Sequence, residues 1–217
     1  GENGQSGTST SIKTTKFDGA QGDCTNGGVK IELLVNGVVD STQTQYNCNK
    51  PVVGDIPVVG DIITFGHYEQ DNNTTNGKEP IEWRVLDINA AGQYLVISDK
   101  VLEAKRYNKT FMVTTWEEST IRSWLNGYAA SYNTDGLNYK TYGFIDAAFT
   151  VEEQEKIVAS YVPAHKNPRY STSPGNATTD KIFLLSIVEA KQYFANDTAR
   201  LADATRYAVK QGVFVID

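Results

Sequence analysis

Three consecutive strand patterns with no helical pattern between them constrain this chain most. They lie at residues 61–68 (DIITFGHY), 80–88 (PIEWRVLDI) and 93–98 (QYLVIS). Each is rich in β-branched and aromatic residues, and the polar stretches EQDNNTTNGKE and NAAG separate them, which predicts an antiparallel meander. Helical signals come only afterwards. Thr150 with Glu153 and Ser186 with Glu189 have the capping-box spacing, as do Thr114 with Glu117 and Thr115 with Glu118.

In the stretch TTWEESTIRSWLNG, Ile121, Trp124, Leu125 and Tyr128 fall on one apolar helical face. Trp116 and Trp124 are therefore read as structural residues. Glu117 and Glu118 read as first-turn residues that complement the helix dipole, and Arg122 as solvated or paired with Glu118. KIFLLS reads as a buried strand leading into the helix of Tyr193 and Phe194. Residues 199–210 read as a last short helix and VFVID as a last strand. With 40% hydrophobic residues, 12 Tyr and 8 Phe, a real core is affordable, so the expected fold is α+β: an antiparallel sheet with several short helices.

The N-terminal part has a different character. Glycines at 1, 4 and 7 of GENGQSGTS match the Gly-X-Y period of collagen, and they equally suit a flexible linker. In residues 23–49, Val29, Ile31, Leu33 and Val35 alternate with Lys30, Glu32 and Leu34, and Asn36-Gly37 is a strong hairpin turn signal. Cys24 and Cys48, the sole cysteines, bound this hairpin. In an exported protein they form one disulfide, closing a loop of roughly 25 residues and contributing about 3–4 kcal/mol; in a reducing compartment they are two thiols. The disulfide is the expected state, because a lone hairpin is marginal in water. An exact tandem repeat, PVVGDI at 51–56 and 57–62, reads as a duplicated linker. The expected division is 1–18, a collagen-like tail or linker; 19–53, a disulfide-stapled β-hairpin module; and 54–217, the α+β domain.

Several function classes lack their signals. A net charge of −6 argues against nucleic acid. No apolar run approaches the ~20 residues that span a bilayer. There is no P-loop, G-x-G-x-x-G or G-x-S-x-G pattern, and no cofactor is expected. His67 sits in a strand without a partner at ligand spacing. The oxygen-rich stretches DNNTTNG (71–77) and SYNTDG (131–136) do not fit a calcium loop and read as turns. The candidate ligand residues are Tyr161, His165, Lys166, Arg169 and Tyr170, in or beside the long polar loop YVPAHKNPRYSTSPGNATTD. They combine aromatic faces with hydrogen-bond donors, and long loops are often functional.

Two resemblances extend this reading. The stretch CTNGG…YNCN resembles Cys-bounded modules found beside collagen-like repeats in bacterial surface proteins. The blocks GDIITFGHYEQ, EPIEWRVLDI, YLVISDKVLEAKRYN, TWEESTIRSWLN, AAFTVEEQEKI and TTDKIFLLSIVEAKQYF resemble an uncharacterised family of bacterial domains. That family occurs mainly in exported or surface proteins of gut-associated bacteria, and the resemblance covers residues 60 to about 212. Its members usually continue into WWLRSPG-like and GVRPAL-like blocks. This ending is similar to the last strands of C-type-lectin-like and formylglycine-generating-enzyme-like folds. Here the chain ends at VFVID, so the resemblance implies a domain lacking its last strands. Formylglycine-generating chemistry relies on cysteines, which residues 54–217 lack.

The expected function is a non-catalytic extracellular or cell-surface module that binds glycan or protein. It would be displayed on a collagen-like stalk and be homotrimeric through it, without inserting into membrane. The alternatives are an enzyme using a carboxylate pair on polysaccharide, and a structural spacer or cap.

Overall fold

The computed structural model describes residues 9–18, 21–22, 28–48 and 56–214, with Cys48 described by its backbone alone. The chain divides into two units, Gly1–Ile56 and Pro57–Asp217, at the junction of the two PVVGDI copies.

The first unit holds an antiparallel sheet in the order β1-β2-β3, formed by Thr10–Phe17, Gly28–Val35 and Val38–Cys48. Asn36 (φ 50°) and Gly37 (φ 80°) make the turn between β2 and β3. Both angles are positive, as a type I′ hairpin turn requires. Asn36 also clasps the start of β1: its N–H donates to Ser9 O at 2.8 Å, and its Oδ1 accepts from Ser9 N at 3.0 Å. In β2 the buried positions are not among the alternating apolar residues but are Gly28 and Glu32, the latter at a shift of register between Ile31 and Leu33. Its carboxylate pairs with Lys30 Nζ at 2.6 Å, and Lys13 of β1 lies opposite.

Residues 10–17 correct the expectation of a tail or linker over 1–18. Ile12 is 70% exposed, so the segment has no apolar alternation to betray it. It is rich in β-branched residues, and it pairs along the edge of β2 that the hairpin leaves open. A third strand stabilises a hairpin that would be marginal alone. The collagen-like period at 1–7 and the Cys24–Cys48 pairing lie outside the described residues.

The second unit begins with the predicted meander. β4 (Ile62–Tyr68), β5 (Glu79–Ile88) and β6 (Tyr94–Ser98) pair antiparallel in chain order. Among the described residues five short α-helices follow: α1 (Thr120–Asn126), α2 (Phe144–Ala148), α3 (Val151–Lys156), α4 (Ile187–Tyr193) and α5 (Arg206–Gln211). A two-stranded ribbon, β7 (Ser160–Val162) with β8 (Thr178–Asp180), lies between α3 and α4 in the chain. The fold class is α+β, as the order of strand and helix signals requires.

The core collects Tyr68, Ile81, Leu102, Trp124, Leu125, Phe144, Ile145, Ala148 and Phe149. Phe144 is its hub, with ring centroids 5.1 Å from Tyr68, 5.5 Å from Trp124 and 6.0 Å from Phe149. Two glycines permit this packing. Gly66 (φ 73°) lies in the irregular β4–β5 register, where a Cβ would stand 2.5 Å from the Phe149 ring. At Gly143 a Cβ would stand 2.6 Å from Trp124 O, so the end of α1 and the start of α2 meet backbone to backbone.

Three expected elements differ, the helix read at 199–210 being a 3-10 turn, Thr198–Arg200, and then α5 only from Arg206. KIFLLS is not a strand: the N–H groups of Lys181 and Ile182 donate to Asn126 Oδ1, both at 3.0 Å, so α1 satisfies them instead of a neighbouring strand. Val213 and Phe214 belong to no strand, and the rest of VFVID lies outside the described residues.

Candidate functional site

The site grows from a break in the stretch TTWEESTIRSWLNG. Trp116–Glu118 forms one 3-10 turn, and extended Ser119 (φ −74°, ψ 145°) then interrupts the chain and caps α1. Ser119 Oγ accepts from Arg122 N at 3.3 Å. Thr115 precedes the 3-10 turn without a side-chain cap, so the spacing of Thr114 and Thr115 with Glu117 and Glu118 does not mark the start of an α-helix. The two glutamates precede the helix and line an open cleft instead.

Arg122 also departs from expectation. It is buried, and its Nε donates to Asp180 Oδ1 at 2.9 Å and Oδ2 at 3.0 Å, while Nη1 donates to Glu117 O at 2.7 Å. Asp180, at the end of β8, is fully buried and collects three further donors. Trp116 Nε1 lies 3.0 Å from Oδ2, Tyr128 OH 2.9 Å from Oδ1, and Thr178 Oγ1 completes the shell. Burial alone would raise this carboxyl, but hydrogen bonds from Arg122, Thr178 and Trp116 hold it below the ordinary carboxylate range. Burial, and then the Asp180 charge, pushes the Tyr128 phenol up to about 12. A charge pair buried to this degree needs such a full set of partners.

The cleft of ≈ 540 Å³ lies over this pair, with Arg122 and Thr178 in its lining. Glu117 and Glu118 of the 3-10 turn, Ser131 and Tyr132 of a second 3-10 turn (Ala130–Tyr132), Asn133 and Thr134 after it, and Asn176 before β8 complete its polar surface. Tyr132 is 51% exposed, and its ring packs against Tyr128 at a 34° tilt, 4.9 Å between centroids. The tyrosine that anchors on Asp180 thus also holds the exposed ring. Glu117 Oε1 accepts from Asn176 Nδ2 at 3.2 Å, whereas the exposed Glu118 carboxylate accepts from no described group.

Nearby, the oxygens of SYNTDG are engaged by the backbone. Asn133 Oδ1 accepts from Leu137 N at 3.0 Å, and Asp135 Oδ2 accepts from Lys109 N at 2.8 Å. Hydrogen bonds from Thr110 and Thr120 lower the Asp135 carboxyl to about 2.

The five residues nominated from the long loop are all exposed, Tyr161 on β7 by 73% and Tyr170 by 67%. Among the described residues no hydrogen bond or ring contact joins their side chains. The same loop brings Asn176 to the cleft at its far end. Trp124 is a core residue, and Trp116 is half-buried with its indole N–H in the Asp180 shell. Sequence reasoning passed over Asp180, because nothing local distinguishes it from a loop aspartate.

A second cluster, Glu69, Asp71 and Glu79, has carboxylate oxygens within 4.8 Å of one another. These oxygens staple the 70–77 loop. Glu79 accepts from Gln70 N at 2.6 Å, Glu69 from Asn73 N at 2.9 Å, and Asp71 from Asn76 Nδ2 at 2.8 Å. The Asn76 bond heads the causes that lower the Asp71 carboxyl.

Comparison with curated proteins and with solved structures found no match. The family described as Domain of unknown function (DUF6273) matches residues 91–212, more than half of the chain, and this span contains every residue of the cleft and the buried pair beneath it. The chain belongs to that family.

Proposed function

We propose that this chain is an extracellular or cell-surface binding module and that its cleft holds carbohydrate without transforming it. The observation that carries the reading is the pairing of an exposed tyrosine, its ring packed at a tilt against Tyr128, with a set of polar side chains. Tyr132 offers a flat face, while Glu117, Glu118, Asn176 and Ser131 offer acceptors and donors beside it. Sugars present just such an alternation of apolar C–H faces and hydroxyl edges. A small set of placed polar groups beside an aromatic ring suits them. A collagen-like stalk upstream, if trimeric, would multiply a weak single-site affinity.

A glycan array probed with the full chain tests this. Binding to a restricted set of glycans that is lost in Tyr132→Ala is the expected result. An array without binding would leave the spacer reading in place.

The second reading, a polysaccharide-cleaving enzyme, is favoured by one feature: two carboxylates, Glu117 and Glu118, share the cleft. Hydrolysis requires carboxyl groups on either side of the scissile bond, ~5–9 Å apart, whereas these are consecutive residues of one turn. Recovering the bound glycan intact after prolonged incubation supports binding, and shortened products support the enzyme.

A further inference from the structure

We infer that the cleft selects sugars by charge, accepting neutral and amino-bearing units and rejecting uronic and other acidic ones. This rests on the carbohydrate reading and names its ligand class. The charged side chains in the lining are Glu117, Glu118 and Arg122. The Arg122 charge is already matched by Asp180 at 2.9 Å, which leaves the two glutamates unneutralised.

Arg122 nevertheless keeps a donor for the ligand. Its Nε and Nη1 are engaged by Asp180 and the Glu117 carbonyl, and Nη2 donates to no described group. Nη2 is not among the buried polar atoms that lack a partner, and 10% of the side chain stays accessible. Arg122 lines the cleft, which sets its guanidinium beside the space a ligand would fill. Fixed by its buried carboxylate, it presents an N–H to a ligand hydroxyl oxygen at little cost in side-chain entropy. The unpartnered Glu118 carboxylate supplies the complementary acceptor, for a hydroxyl or an ammonium. A ligand carboxylate would meet a neutralised guanidinium and two like charges.

A unit charge near 4 Å from another in water is worth about fivefold in affinity. The test is calorimetric titration of the full chain with three β-1,4-linked disaccharides, of glucosamine, glucose and glucuronate. The glucosamine dimer is expected to bind about fivefold more tightly than the glucose dimer, with the glucuronate dimer weakest. Glu118→Gln should shrink the glucosamine advantage to under about twofold, and 0.5 M salt should shrink it in the unmodified chain. Glu152→Gln, the same charge change on exposed α3, should leave it intact. Tightest binding by the glucuronate dimer, or an advantage that survives Glu118→Gln, overturns the charge selection while leaving carbohydrate binding standing. Binding by none of the three, together with a glycan array without binding, overturns both.

Discussion

Replacing Asp180 by alanine is the sharpest perturbation of this architecture. The side chain is fully buried and accepts from Arg122, Trp116, Tyr128 and Thr178. Its removal strands the Arg122 guanidinium without a counter-charge in a site that leaves 10% of it accessible. Breaking one half of a buried ion pair costs about 3–5 kcal/mol. The Trp116 and Thr178 side chains also bond each other at 3.1 Å, so that part of the shell survives and adds little. Asp180→Ala should therefore lower stability by about 3–5 kcal/mol. The double variant Arg122→Met with Asp180→Leu, which removes both charges, should recover most of the loss. Trp83, Trp116 and Trp124 all belong to the second unit, so tryptophan fluorescence during urea unfolding of the full chain reports on that unit. A loss under about 1 kcal/mol, or a double variant no more stable than Asp180→Ala, would refute the claim that this pair organises the domain.

Other perturbations follow from the same structure. Asp180 and Asp135 both have carboxyls held below their ordinary values, Asp135 at about 2, so each contributes stability above the unfolded value near ~4 that is lost as pH falls through the folded one. The urea midpoint should accordingly fall between about pH 4 and pH 2, and a midpoint that rises on acidification contradicts this. Gly66→Ala places a Cβ at φ 73° and 2.5 Å from the Phe149 ring, where overpacking costs about 1–3 kcal/mol; an unchanged urea midpoint would show that the β4 irregularity tolerates a side chain. Thr150→Ala opens the capping box in which Glu153 N donates to Thr150 Oγ1 at 3.2 Å, and should cost about 1 kcal/mol by the same assay.

The elements legible in the sequence are those with local causes. The meander shows through its β-branched and aromatic runs, and the hairpin through Asn36-Gly37. The boxes at Thr150 and Ser186 both form, because an uninterrupted helix follows each cap. The same spacing at Thr114 and Thr115 misleads, because Ser119 breaks the chain before α1. Arg122 lies off the apolar helix face, which for an isolated helix means solvent. Its partner lies 58 residues away, and no periodicity links the two. The cleft was half legible for the same reason: the 163–177 loop stood out by composition, yet Asn176 at its end reaches the cleft, while the aromatic and cationic residues before it stay exposed. Strand β1 escaped notice because its pairing, not its own pattern, holds it.

The most direct test of a ligand cleft built over the Arg122–Asp180 pair is the response of the three indole N–H resonances. The full chain is labelled with ¹⁵N and titrated with the β-1,4 glucosamine disaccharide, with Trp116→Phe to assign its signal. Trp116 Nε1 donates to Asp180 and Thr178 beneath the cleft, whereas Trp83 Nε1 donates to Phe65 O at 2.7 Å in the sheet. The account predicts a saturable shift of the Trp116 resonance with Trp83 unmoved. A shift confined to Trp83, or no shift at concentrations where calorimetry shows saturation, would contradict it.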